Sequence, residues 1–278
     1  MTHWPGRVLQ RIHADFLMAS RLPTYRRLLE TVLGAGYAVV SIETFRDRVR
    51  AGSDEPGQRV LILRHDIDTD PDTGRKMWEI EEDLGIRASF FFRLSTLDIP
   101  LMRAIADGGG HASYHYEELA TVAKRHRLRS RGEIDRHLDE IRREFLRNVE
   151  SVRARTGLPL DIVASHGDFV NRRLGIPNWF LLDDPAFRRE AGIALEAYDD
   201  ALMGRVTSRH SDTAPPRAWV PESPLAAIGR AEPVVHVLVH PRHWRVAPWV
   251  NARDDLGRLR ESLAYRRPAA PRVERTGR

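Results

Sequence analysis

The chain has 278 residues, 42% of them hydrophobic and 30% charged. That is the balance of a soluble globular protein, long enough for one large α/β domain or two small ones. It contains no cysteine, which excludes disulfides, thiolate catalysis and cysteine-held zinc or iron–sulfur centres, so any metal must be held by histidine and carboxylate. The net charge of +5 arises from 44 basic and 39 acidic residues. These are scattered in mixed sign with no basic-aromatic motif, so nucleic acid is not an expected partner. No apolar run approaches the ~18 residues of a membrane span, and the first residues have no apolar core of signal-peptide type. The expectation is a cytoplasmic protein without membrane insertion.

Residues 1–24 read as an arm with a short helix, interrupted by Pro5 and Pro23. From Tyr25 to Ala35 a helical stripe of Leu28, Leu29, Val32 and Leu33 ends at Gly34 and Gly36. Tyr37–Ile42 reads as a strand, Ile42–Val49 as a short helix and Ala51–Gln58 as a polar loop. Val60–Leu63 is apolar without alternation, as suits a strand covered on both faces of a parallel sheet. It runs directly into Arg64-His65-Asp66-Ile67-Asp68. The carboxyl end of such a strand is where α/β sheets and barrels carry their chemistry. Asp66 and Asp68 are two apart and project to one side of an extended segment, as a hard-cation or acid/base pair would. The alternative is acidic capping of the helix that follows Pro71.

That helix is expected over Asp72–Gly85, a second apolar strand over Ala88–Phe92, and a further helix over Ile99–Ala106 before Gly108-Gly109-Gly110. His111–Glu118 is a strand end loaded with polar groups. Ser130–Thr156 reads as one long amphipathic helix with Ile134, Leu138, Ile141, Phe145, Val149 and Val152 on its apolar face. A fourth strand, Asp161–Ala164, runs into Ser165-His166-Gly167-Asp168. Residues 171–190 look irregular apart from a short helix near Pro185–Glu190; Ala194–Ala197 is a short strand, and residues 204–224 are polar and proline-rich. Val234–Val239 is the last clear strand and leads into His240-Pro241-Arg242-His243-Trp244. Asp254–Tyr265 reads as a helix and residues 266–278 as a disordered tail.

Alternating helices and strands argue for a single α/β domain with a parallel sheet or barrel. Four strand ends, at Asp66/Asp68, His115, His166 and His240, converge on one polar cleft if their strands share one sheet.

Taken in order, Leu63-Arg64-His65-Asp66-Ile67-Asp68, Phe90-Phe91-Phe92-Arg93, Tyr114-His115-Tyr116-Glu117, Ser165-His166-Gly167 and Leu238-Val239-His240-Pro241 resemble the polysaccharide deacetylase superfamily (carbohydrate esterase family 4 and its relatives). More narrowly they resemble its intracellular "HDVD" branch, associated with bacterial surface-glycan gene clusters. The resemblance covers residues 25–265 and implies a distorted (β/α) barrel. It also implies a divalent metal, zinc above all, and hydrolysis of an N-acetyl or related acyl group on a sugar, nucleotide sugar or glycan precursor.

Carried over residue by residue, the resemblance makes Asp66 the catalytic base, Asp68 the metal carboxylate, His115 a metal ligand and His240 the acid. The family's adjacent aspartates are separated here by Ile67, which leaves the roles of Asp66 and Asp68 exchangeable. Its second metal histidine would fall at Leu119, which cannot bind metal. His166 or His111 would complete the site, His166 being favoured as the next strand-end imidazole. The arginine that pairs with the base is absent from the Ser-His-Gly segment, with Arg64, Arg93 or Arg172 as substitutes. Tyr116, Glu117, Asp212 and Trp244 are candidate substrate contacts; Tyr114, Trp179 and Trp219 are further aromatics that either stack on sugars or pack in the core. Two other functions stay open: a metal-independent hydrolase of a cyclic amide, and a degenerate barrel that only binds glycans.

Overall fold

The computed structural model describes residues 13–52, 58–213 and 217–266; the expected arm up to residue 12 and the tail from residue 267 lie outside them. The strands are β1 (Tyr37–Val40), β2 (Arg59–Ile67), β3 (Ser89–Phe92), β4 (His111–Tyr116), β5 (Ile162–Ser165), β6 (Leu195–Glu196), β7 (Ser208–Asp212), β8 (Trp219–Val220) and β9 (Val234–Val239). The helices needed below are α1 (Leu22–Gly34), α2 (Pro71–Asp83), α3 (Glu118–His126), α4 (Leu138–Thr156), α5 (Phe169–Leu174) and α6 (Pro248–Arg266).

The strands form one sheet in the order β6-β5-β4-β3-β2-β9-β7-β8, with β1 also beside β2. Every pairing is parallel except β7 with β8. The central strand is β2: β1 pairs with its first half, β3 with its second, and β9 along its other edge. That three-sided pairing explains the uninterrupted apolar run from Val60 to Leu63.

In a flat sheet β2 and β6 would stand about 19 Å apart, four strand spacings. Instead the Arg64 guanidinium of β2 lies 4.7 Å from the ring centre of Tyr198, just past β6, so the sheet curls into a partial barrel. Two apolar clusters result. Val60, Ile62, Phe91, Ile162, Ala164 and Leu195 fill the inside of the curl. Leu61, Leu63, Phe90, Phe92, Val235 and Val237 pack outward against the helices, meeting Tyr25, Leu29, Met77 and Phe145. This is the α/β barrel-type architecture expected from the sequence.

Several boundaries differ from expectation. β2 runs on to Ile67, so Asp66 lies in the strand rather than after it. β4 begins at His111, which puts His111 and His115 toward opposite ends of one strand. The expected helix over 130–156 is two helices, broken at His137, whose Nδ1 donates to the Glu133 carbonyl at 2.9 Å. β7 and β8 arise in the segment read as polar and proline-rich. The glycine run before β4 has a steric reason. Gly109 adopts φ +79°, and a Cβ at Gly110 would stand 2.9 Å from Ile105 Cγ2.

Candidate active site

Strand periodicity builds the site. Even-numbered residues of β2 face the inside of the curl, so apolar Val60 and Ile62 give way to Arg64 and Asp66, with Asp68 just beyond the strand. On β4 the same alternation turns His115 inward while Tyr114 and Tyr116 face the helices. β5 ends beside β4, with His115 level with Ala164, and the His166 N–H donates to the Tyr116 carbonyl at 2.8 Å. The curled sheet therefore lets β2, β4 and β5 deliver Asp68, His115 and His166 to one point.

The three ligand atoms lie within 4.8 Å of one another. Asp68 Oδ1 stands 3.3 Å from His115 Nε2 and 3.1 Å from His166 Nδ1. His115 Nδ1 lies 2.9 Å from the Ala164 carbonyl, a contact only a protonated nitrogen makes. In the neutral imidazole Nε2 therefore turns a lone pair toward Asp68. Asp68 Oδ1 is buried, and neither imidazole meets it with hydrogen-bond geometry. Facing lone pairs at this distance suit a cation held between them. Ligand atoms ~2.1 Å from a tetrahedral zinc sit about 3.4 Å apart, close to the separations seen here, so the residues fit a divalent metal.

Asp66 is held differently. The fully buried Arg64 donates Nε–H to its Oδ1 at 2.7 Å and Nη2–H to its Oδ2 at 2.9 Å. One guanidinium thus holds both carboxylate oxygens of Asp66. Burial raises the Asp66 carboxyl, yet Arg64 and then His115 bring it below its ordinary value, so it is ionised at neutral pH. Its Oδ2 also lies 3.4 Å from His115 Nε2, which puts it at the rim of the Asp68–His115–His166 cluster.

His240 follows β9, and Asp212 at the end of β7 holds it. Asp212 accepts the His240 N–H at 2.8 Å, His240 Nδ1–H at 2.6 Å and Trp244 Nε1–H at 2.8 Å. Burial alone lowers the His240 imidazole, but Asp212, Asp68 and Asp66 more than reverse this and raise it to about 9. Asp212, His240 and His243 also lie close enough together to share an ion. With three donors already on Asp212, the group reads better as an imidazolium and its anchor. The site thus joins an ionised carboxylate and a protonated imidazole, pushed apart in pKa by their surroundings.

Other candidates stand elsewhere. Tyr116 is fully buried and packs edge-on against Phe145, so it faces the core and not a sugar. Trp244, 1% exposed, packs against Tyr25 and Trp219, and its reach into the site is through Asp212. Asp212 itself is occupied by those donors and positions His240 rather than touching a ligand. Glu117 pairs with Arg93, whose Nη1–H also donates to the Asp68 carbonyl. His111 bonds Ser89 Oγ at 3.1 Å, four residues or about 13 Å along the strand from His115; burial pushes it down to about 4. His65 faces outward, with Nε2 2.7 Å from Glu81 Oε1 and its ring stacked on Phe90. Leu119 is core.

Two hollows open beside the cluster. A cleft of about 800 Å³ runs from Asp68 and His166 along α5 to α6. A smaller pocket of about 240 Å³ shares His166, Gly167, Asp168 and Arg172 with the cleft and is also lined by Trp179 and Tyr198, whose ring centres are 5.0 Å apart. Of the aromatics singled out above, Trp179, 41% exposed, lines this pocket. Tyr198 escaped the sequence reading because it lies outside the quoted motifs, after a two-residue strand.

Neither a protein-family model nor a curated protein matches the sequence. Among solved structures, the chain is similar to the Streptococcus pyogenes deacetylase PplD in complex with acetate, at 12% identity and a TM-score of 0.43, over 69% of this chain and 76% of that one. It is similar to a family 4 carbohydrate esterase from Streptomyces lividans in complex with acetate, at 13% identity and a TM-score of 0.35, over 71% and 88% of the two chains. It is also similar to a protein from Mycobacterium smegmatis described as a polysaccharide deacetylase, at 13% identity and a TM-score of 0.37, over 74% and 85%.

Proposed function

We propose that the chain is a metal-dependent hydrolase that removes an N-acetyl or related acyl group from a sugar or glycan precursor. The observation that carries this reading is the convergence of an Asp68–His115–His166 cluster with ionised Asp66 on one side and protonated His240 on the other. An amide resists water because its carbonyl is a weak electrophile and its amine a poor leaving group. A divalent metal, zinc by its ligand set, would supply Lewis acidity for the carbonyl and acidify a water. Asp66, fixed by Arg64, accepts the proton of the attacking water at a carboxylate oxygen. His240, fixed by Asp212, gives its proton to the departing nitrogen. Each such transfer typically contributes ~10²–10⁴-fold. In this reading His166, beside Asp68 and His115, takes the place that Leu119 cannot fill.

Elemental analysis of the purified protein, paired with acetate release from N-acetylated sugars, tests the proposal. The expected result is one divalent metal per chain and hydrolysis that stops on chelation and returns with zinc. Acetate release that persists in fully metal-free protein would overturn it.

A further inference from the structure

The last helix is turned inside out. The face of α6 that meets the body is polar: Asn251 and Tyr265 are buried, the Tyr265 hydroxyl donates to the Leu128 carbonyl, and Asp254 and Asp255 accept from Arg242 at 2.9 and 3.0 Å. Glu261, beside this face, accepts from Lys124 at 2.8 Å. The opposite face is apolar. Trp249, Ala252, Leu256, Leu259 and Leu263 recur at steps of three and four and so form one stripe. Trp249 is 88% exposed, Leu259 56%, Leu263 52% and Leu256 47%. A helix packed on a globular body ordinarily does the reverse, and a continuous apolar patch at a surface marks a contact site. Half of the exposed large apolar side chains among the described residues sit on this one helix, Val250 included.

We propose that α6 rests on an anionic lipid surface, its apolar stripe among the upper parts of the lipid chains and its arginines at the headgroups. The charge pattern selects this partner. Arg253 and Arg260 are exposed along one edge of the stripe and Arg266 at its end, whereas all three carboxylates of the helix are turned to Arg242 or Lys124. The sequence that follows α6, residues 267–278, adds Arg267, Arg272, Arg275 and Arg278 against Glu274 alone. Leucine and tryptophan beside clustered arginine are what an interfacial helix presents to anionic headgroups, and tryptophan favours the boundary between lipid chains and water. A second copy of the chain fits less well. In an antiparallel pairing of two such stripes Arg253 and Arg260 would face arginine, and in a parallel one they would meet Asp255, which Arg242 already holds. The contact is one of lying on the surface, since no helix among the described residues is long and apolar enough to cross a membrane. Arg253 and Leu259 also line the large cleft, so a docked α6 sets the mouth of that cleft beside the bilayer.

The test is co-sedimentation of the purified full chain with vesicles of phosphatidylcholine alone and of phosphatidylcholine mixed with phosphatidylglycerol, at constant ionic strength. Wild type is compared with the triple variant Trp249→Gln/Leu256→Gln/Leu263→Gln, with Arg253→Gln/Arg260→Gln, and with Leu225→Gln as an exposed control on the Pro224–Gly229 helix. All these side chains are exposed, so the variants should keep the fold, which circular dichroism checks. The expected result is binding of wild type and control to the mixed vesicles, weaker by about tenfold or more in the triple variant, weaker also in the double arginine variant, and slight for phosphatidylcholine alone. Tryptophan emission should move to the blue on binding, by less in Trp249→Phe. Equal binding by wild type and triple variant would overturn the proposal, as would no binding to the mixed vesicles or equal binding to both compositions. Sedimentation velocity supplies the rival outcome: a wild-type dimer that the triple variant dissolves, without vesicle binding, would give the stripe to a second copy and overturn the lipid partner. Neither readout involves acetate release, so this proposal and the hydrolase reading fail separately.

Discussion

Replacing Asp212 by Asn removes the charge that sustains the His240 imidazolium while keeping the side chain's shape. In the wild type His240 rises from 6.5 to about 9. At 1.36 kcal/mol per pKa unit this is about 3 kcal/mol; with the His240 side chain 22% exposed, solvent screening trims it to about 2–3 kcal/mol. The amide also cannot satisfy all three donors now on Asp212, because its Nδ2 must face one of them. The imidazole should then titrate at or below its ordinary value, burial being the largest remaining influence. NMR titration of the His240 ring measures this directly, and the alkaline limb of the pH–rate profile should move down with it. The sign for stability follows from a raised folded-state pKa. The contribution is complete below pH 6.5 and is lost as pH climbs through about 9. The stability gap between wild type and Asp212→Asn in urea should therefore be largest near pH 6 and shrink by pH 9.5. A wild-type His240 titrating near 6.5, or an unchanged His240 in the variant, would refute the reasoning.

Three more outcomes follow from the same contacts. Arg64→Met leaves Asp66 buried without its partner and should cost about 3–5 kcal/mol in urea unfolding; adding Asp66→Asn should recover a large part of it. His115→Ala and His166→Ala should lose bound metal by elemental analysis, whereas His111→Ala and His240→Ala should keep it. Metal binds the folded chain alone, so at a hundredfold excess over its Kd it should add about 2.7 kcal/mol, seen as a rise in Tm of about 5–10 °C over chelated protein.

How much of this was legible depends on what each residue's neighbours are. β2, β4 and β9 could be read because apolar runs feed polar clusters, and the period of two places Arg64, Asp66 and Asp68 on one side. β7 could not be read. Ser208-Arg209-His210-Ser211-Asp212 contains no apolar residue and becomes a strand because β9 offers it a parallel edge. Asp212 was therefore visible as a residue but not as the anchor of His240. Tyr116 and Trp244 mark the opposite error. Tyr116 lies within a motif and Trp244 just after one, yet pleat direction and tertiary packing bury both. The choice between His166 and His111 needed register as well, since nothing local reveals that His111 opens a strand and His115 sits near its end.

The pairing of β2 with β9 has a consequence for how the chain is made. Val60 aligns with Val234, roughly 170 residues later. At ~5–20 residues per second, a nascent β2 waits on the order of ten seconds or more for the neighbour that closes one of its edges. During that time a Val-Leu-Ile-Leu edge, among the most aggregation-prone kinds of segment, has no mate. Recovery of soluble protein should therefore depend on the temperature of synthesis and on chaperone supply. Chains cut before Val239 should be lost to inclusion bodies, however intact their first two hundred residues.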